Sequence, residues 1–220
     1  MVLDRVSSLG DGIALKWSCM DMDGFQNRAV GKKIPLFFLC DCSGSMSNGL
    51  LEQLNVAIPN VFPAIQKTIS AHLDVMVSIN VIRFSDYAEW HLYDTPLTCL
   101  QWLPLTNAEG ITSLGSAYRL MGESLKQEAI NESLSPIAVL FSDGKATDDE
   151  LNALNGIRDI LTMTKTACFG LGIGSEADRD TLMRFVQQDS TRVVMTDTFS
   201  ALNAWAQQFV QRGLLQVLNN

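Results

Sequence analysis

Two kinds of apolar pattern alternate along the chain. Short runs rich in branched and aromatic residues occur at 35–40 (PLFFLC), 75–84, 136–141, 167–173 and 192–195. Runs of this length and composition suit strands covered on both faces. Between them apolar residues recur every three or four positions, which places them on one face of a helix. Leu51, Leu54, Ile58, Phe62, Ile65 and Ile69 form one such stripe, Leu114, Ala117, Met121 and Leu125 a second within 113–130, and Leu151, Leu154, Ile157 and Leu161 a third. Further helices are predicted over 178–188 and from Phe199 to about Val217.

Local signals refine this pattern. Pro59 and Pro63 fall inside the first helix, where a ring removes a hydrogen bond and crowds the preceding turn, so a kink or a restart near Asn60 is expected. Tyr87 to Tyr93 follows Phe84 after a two-residue link and reads as an antiparallel edge partner of the preceding strand. Thr147 and Glu150 have the T-x-x-E spacing of a capping box opening the third helix. The stretch from Asp94 to Thr112, with Pro96, Pro104, Asn107 and Gly110, is longer than most connections.

Strand and helix in regular succession imply right-handed crossovers and a doubly wound, Rossmann-like α/β fold. The expected sheet is mostly parallel and six-stranded, with one antiparallel edge strand and helices on both faces. Residues 1–33 break the rhythm. Alternation at Ile13, Leu15 and Trp17 predicts a strand or hairpin, an N-terminal extension packed on a domain spanning 34–220. Asp21 to Gly24 lacks the later ligands of a calcium loop and reads as a turn.

A chain of 220 residues with 47% hydrophobic content is enough for one well-buried domain. Its net charge of −8 weighs against nucleic acid and anionic membrane as partners, since both need clustered Lys and Arg. Cys19, Cys40, Cys42, Cys99 and Cys168 are an odd set without a second pair to complete a zinc site, and are expected as reduced thiols. With neither a signal-peptide pattern nor a long apolar run, the expected location is cytoplasmic. His72 and His91 have no partners at ligand spacing, and methionines such as Met20 and Met22 are expected to fill core gaps. Trp90, Tyr93 and Trp102 flank the long connection, either packing beneath it or forming a rim for a partner.

The candidate chemistry lies where strands end. Asp41-Cys42-Ser43-Gly44-Ser45 follows the first strand and sets one carboxylate and two hydroxyls on a short loop, an oxygen set that suits a hard cation such as Mg²⁺. Ser142-Asp143-Gly144 follows another strand, and Thr112 precedes a helix. Doubly wound sheets bind ligands beyond the carboxyl ends of their strands, so these loops are expected to meet. Taken singly, Ser43 and Ser45 would be helix caps and Asp143 a turn residue. Their joint occurrence is what marks a site.

Asp41, Ser43, Ser45, Thr112 and Asp143 resemble the metal-ion-dependent adhesion site (MIDAS) of von Willebrand factor A domains, Asp-x-Ser-x-Ser followed by a distant Thr and a distant Asp. The sequences around Thr112 (GITSLG) and Asp143 (FSDG) are similar to that family's threonine and aspartate loops, and the likeness spans roughly 34–212. It implies a non-enzymatic module in which these five residues hold Mg²⁺, with Mn²⁺ or Ca²⁺ as alternatives. The open metal position would then take an Asp or Glu from a protein partner. Within the family the chain resembles bacterial TerY-type proteins of tellurite resistance, which implies a stress-response or defence complex with a kinase or phosphatase partner. The rival reading is a Mg²⁺-dependent phosphohydrolase using Asp41 as nucleophile. Against it, position 43 is not a second Asp, only Lys145 offers a lysine near the strand ends, and no general base is evident. A nucleotide loop at Gly44 to Gly49 lacks the required lysine.

Overall fold

The computed structural model describes residues 31–106, 108–175 and 177–219. The strand or hairpin expected at Ile13 to Trp17, the turn at Asp21 to Gly24, and Cys19, Met20 and Met22 lie outside the described residues. The strands are β1 (Lys32–Asp41), β2 (Val75–Phe84), β3 (Ala88–Pro96), β4 (Ile137–Ser142), β5 (Ala167–Ile173) and β6 (Val193–Thr196). They form one sheet in the order β3-β2-β1-β4-β5-β6, in which only β3 runs antiparallel. The helices are α1 (Leu50–Ile69), α2 (Leu114–Ile130), α3 (Glu150–Met163), α4 (Arg179–Phe185) and α5 (Phe199–Leu218). The expected doubly wound, mostly parallel sheet with one antiparallel edge strand is therefore the observed one.

Alternation along β1 explains the two faces. Ile34, Leu36, Phe38 and Cys40 point into a core shared with α1 and α5, whereas Phe37 and Leu39 point into a core shared with α2, α3 and α4. Successive strand side chains face opposite ways, so a strand covered on both faces is apolar along its covered length, as β1 is from Ile34 to Cys40. Aromatic pairs knit each layer: Phe38 and Phe141 at 6.0 Å, Phe169 and Phe209 at 4.9 Å, and Tyr118 stacked on Phe185 at 5.5 Å.

Several expectations need correction. Helix α1 does not restart near Asn60, because Leu50–Ile69 is one helix containing Pro59 and Pro63. Pro63 is exposed and Pro59 half-buried, so neither ring interrupts the buried face, on which Leu51, Leu54, Ala57, Ile58, Val61 and Ile65 pack without a break. Strand β3 runs on to Pro96, further than expected, and β1 takes in Lys32 and Lys33, which the sequence pattern assigned to the extension. Helix α5, by contrast, runs through the segment after Gly213 as expected, with Leu214 and Val217 buried in the core. Cys40, Cys42 and Cys168 are buried free thiols, but Cys99 is disulfide-bonded, which removes the cysteine argument for a cytoplasmic location. His91 donates its Nε2–H to Leu103 O (2.7 Å) and meets the Trp102 ring edge-on at 5.5 Å, so both are packing residues of the long connection.

Leu151, assigned to the buried stripe of α3, is 51% exposed; Ala153 and Ile160 join Leu154, Ile157 and Leu161 instead. Leu151→Ser is accordingly expected to change unfolding free energy by less than about 0.5 kcal/mol in denaturant titration. A loss of about 2 kcal/mol or more would mean that this side chain is covered.

Candidate metal centre

The site is built outward from the carboxyl ends of β1 and β4, which pair directly through Cys40 and Phe141. One residue beyond that pair stand Asp41 and Ser142. Asp41 is fully buried. Its Oδ1 accepts the Ser43 backbone N–H at 2.9 Å, and its Oδ2 accepts the Ser142 hydroxyl at 2.6 Å. The first bond closes a local turn that bends the loop across the strand end.

Ser43 precedes a short 3₁₀ turn (Gly44–Ser47), yet its side chain caps nothing. Its Oγ instead lies 3.1 Å from Ser45 Oγ, and Ser45 donates to Asp143 Oδ1 at 2.8 Å. A chain of oxygen contacts thus runs from the Asp41 loop to the Asp143 loop across about a hundred residues of sequence. Thr112 borders the same point: a methyl group placed on Gly144 would sit 3.9 Å from Ser45 Oγ and 4.0 Å from Thr112 Oγ1. All five residues singled out from the sequence gather beyond the carboxyl ends of the central strands β1 and β4.

The threonine loop is fixed by backbone bonds. Gly44 N–H donates to Gly110 O (3.1 Å) and Glu109 N–H to Cys42 O (3.2 Å), joining it to the Asp41 loop. Gly110 has φ +81°, and a Cβ there would fall 2.4 Å from Asp86 Oδ1, so only glycine fits. Asp86 uses that oxygen to accept the Ile111 N–H at 2.9 Å, and its carbonyl accepts the Ser113 hydroxyl at 2.9 Å. Thr147 and Glu150 do not form the expected capping box, since α3 is preceded by Asp149 and has no side-chain cap. Thr147 Oγ1 accepts the Thr112 N–H at 3.1 Å, while Glu150 pairs with Arg184 at the base of α4. Long-range partners outcompeted the local motif.

Electrostatically the site is unbalanced. Burial pushes the Asp41 carboxyl up to about 6, against the hydrogen bonds from Ser142 and Ser43, and the neighbouring Asp143 charge adds to the rise. Burial also raises Asp143, opposed by its bond from Ser45. Among the described residues every ion pair lies elsewhere: Lys33 with Asp94 and Glu128, Arg83 with Glu89, Arg184 with Glu150, Arg192 with Asp189. Two buried carboxylates facing only hydroxyl and amide donors carry an uncompensated charge, which proteins ordinarily resolve with a cation or a proton. Among the described residues no three His, Cys, Asp or Glu side chains cluster. The donors are therefore two carboxylates and three hydroxyls, an all-oxygen set that fits a hard divalent ion. Cys42, inside the loop, stays a thiol because burial holds it up at about 12.

Four residues that hold this geometry are not apparent as such in the sequence: Ser142, Asp86, Thr147 and Asp148. Ser142 sits within the FSDG motif and carries a signal by position, but the other three act on backbone groups 25 to 35 residues away.

The model of the von Willebrand factor type A domain matches residues 36–208. No curated protein matches the chain in sequence. Among solved structures, proximal thread matrix protein 1 from the mussel byssus, described with its MIDAS motif occupied by zinc, superposes with a TM-score of 0.63 at 15% identity, over 82% of this chain and 48% of that one. A von Willebrand factor type A protein from Catenulispora acidiphila gives 0.60 at 14% identity over 84% and 43%, and the pilus adhesin SpaC from Lactobacillus rhamnosus GG gives 0.64 at 12% over 84% and 31%. The chain spans about half the length of the mussel protein and less of the other two. With most of its length covered by the family model, the chain belongs to the von Willebrand factor type A domain family.

Proposed function

We propose that this domain binds a protein partner through a divalent cation held by Asp41, Ser43, Ser45, Thr112 and Asp143. The observation that carries the reading is the pair of buried carboxylates, Asp41 and Asp143, ringed by hydroxyls and lacking any basic partner among the described residues. A divalent ion bound there would supply a Lewis-acidic position for one carboxylate oxygen of the partner's Asp or Glu. The serine and threonine hydroxyls offer neutral oxygens, so two acidic residues offset the ion's charge without exceeding it. Mg²⁺ is the expected ion, with Mn²⁺ and Ca²⁺ as alternatives; a structural neighbour's zinc-occupied motif supports divalent occupancy of this type of site.

Adhesion is favoured over phosphoryl transfer. Position 43 holds Ser43 where a phosphohydrolase of this kind would carry a second Asp, and only Lys145 offers a lysine near the strand ends. On the resemblance of the sequence to TerY-type proteins, the partner we propose is a kinase or phosphatase of a bacterial stress-response complex. Among the described residues no helix is long and apolar enough to cross a membrane.

Calorimetric titration with MgCl₂ tests the site: wild type is expected to bind one ion, and Ser43→Ala to bind it about tenfold or more weakly. Equal binding by both proteins would remove Ser43 from the site. Acidic peptides captured by the immobilised protein in Mg²⁺ are expected to elute with EDTA and to lose binding when their Asp or Glu becomes Asn or Gln. Retention in EDTA would separate partner binding from the metal.

A further inference from the structure

The two loops that carry Thr112 and Asp143 are joined by a clamp outside the five candidate ligands. Thr147 holds the Thr112 peptide from both sides: its Oγ1 accepts the Thr112 N–H at 3.1 Å, and its own N–H donates to Thr112 O at 2.9 Å. The next residue, Asp148, spreads its carboxylate over the start of α2, with Oδ1 accepting from Gly115 N–H at 2.9 Å and Oδ2 from Ser116 N–H at 3.0 Å. Helix α2 needs that cap, because its own preceding residue, Ser113, makes no side-chain cap bond and gives its hydroxyl to Asp86 instead. Gly115 allows the approach: a Cβ there would lie 2.8 Å from Asp148 Oδ2 and 3.1 Å from Glu150 Cα.

The geometry points to Thr147 and Asp148 as positioning residues for the metal centre, fixing the Thr112 hydroxyl from the loop that carries Asp143. This inference rests on the metal-site reading above. Backbone groups on both sides of Thr112 are tied before any ion arrives, so binding does not have to order the threonine loop. Outer contacts that orient a ligand typically change metal affinity by about ten- to a hundredfold when removed. Negative charge at the α2 N-terminus also offsets the partial positive charge of the helix end.

Thr147 is itself exposed, so its substitution leaves the core untouched. The test compares the full chain as wild type, Thr147→Ser and Thr147→Val. Valine keeps the shape and loses the acceptor; serine keeps the acceptor. Thr147→Val is expected to bind Mg²⁺ about tenfold more weakly, with Thr147→Ser close to wild type. In EDTA, amide hydrogen exchange is expected to quicken at Thr112 in the valine variant alone, while the sheet amides keep their protection. Tight wild-type binding with unchanged affinity in Thr147→Val would overturn the positioning role and leave the metal site standing. Failure of the wild type to bind any divalent ion would overturn both. Loss of protection across the sheet in Thr147→Val would assign the residue to general stability and overturn the positioning role as well.

Discussion

Asp41→Asn is expected to weaken divalent-cation binding by at least about a hundredfold while raising the melting temperature of the metal-free protein at pH 7.5. The two effects share one cause. Asp41 is fully buried, with its carboxyl raised from 3.8 to about 6, so in the absence of metal its charge at neutral pH opposes folding. A shift of about two units corresponds to at most about 3 kcal/mol. Asparagine keeps an acceptor for the Ser43 N–H, and its NH₂ donates to Ser142 Oγ, whose hydroxyl turns toward Gly144 O, 3.3 Å away. The variant removes a desolvated charge without leaving a buried polar atom unpaired. For a chain of this size each kcal/mol moves the melting temperature by about 2–4 °C. Scanning calorimetry in EDTA and titration with MgCl₂ check the pair of effects. A destabilised metal-free variant would mean that the Asp41 charge already has a counter-ion in the protein.

The second large effect is on pH. With Asp41 at about 6 folded and 3.8 unfolded, the folded state holds a proton that the unfolded state has released between those values. Metal-free stability therefore falls as pH rises from about 4 to about 6 and stays low above that. Metal binding runs the other way, because the ion requires the carboxylates ionised. Affinity for Mg²⁺ is expected to be level above about pH 7 and to fall about tenfold per unit below 6, more steeply once Asp143, also raised by burial, takes up its proton. Mg²⁺ titrations in matched buffers at pH 5, 6, 7 and 8 measure this. Affinity independent of pH over that range would contradict a site built on these two carboxylates.

The sheet was legible because β1, β2, β4 and β5 are buried on both faces, and double burial leaves little room for polar residues. Asp41, Ser43, Ser45, Thr112 and Asp143 were legible for a related reason: each sits in a short motif at the end of an element whose apolar pattern is strong. Their convergence needed only the rule that adjacent parallel strands bring their carboxyl ends together. The misreadings arose where a local signal competed with a distant one. Thr147 and Glu150 have capping-box spacing, but Thr147 bonds the Thr112 peptide and Glu150 the Arg184 guanidinium instead. Leu151 fits the helical period and is exposed because the stripe turns one position toward Ala153 and Ile160. Pro59 and Pro63 break helices by rule, yet a packed apolar face on α1 outweighs the bonds they cost. Asp86 and Asp148 bond to backbone N–H groups, and no side-chain pattern announces such a partner.

The central claim is that one divalent ion sits among these five side chains. Crystals of the full chain grown with MnCl₂, measured for anomalous scattering at the manganese edge, test it directly. The expected map has a single strong peak between the Asp41 loop, Thr112 and Asp143, in direct contact with hydroxyl oxygens of Ser43 and Ser45 and with the carboxylates bound directly or through one water. A map with no peak there, or with the peak on other side chains while Asp41 remains hydrogen-bonded and protonated, would contradict it.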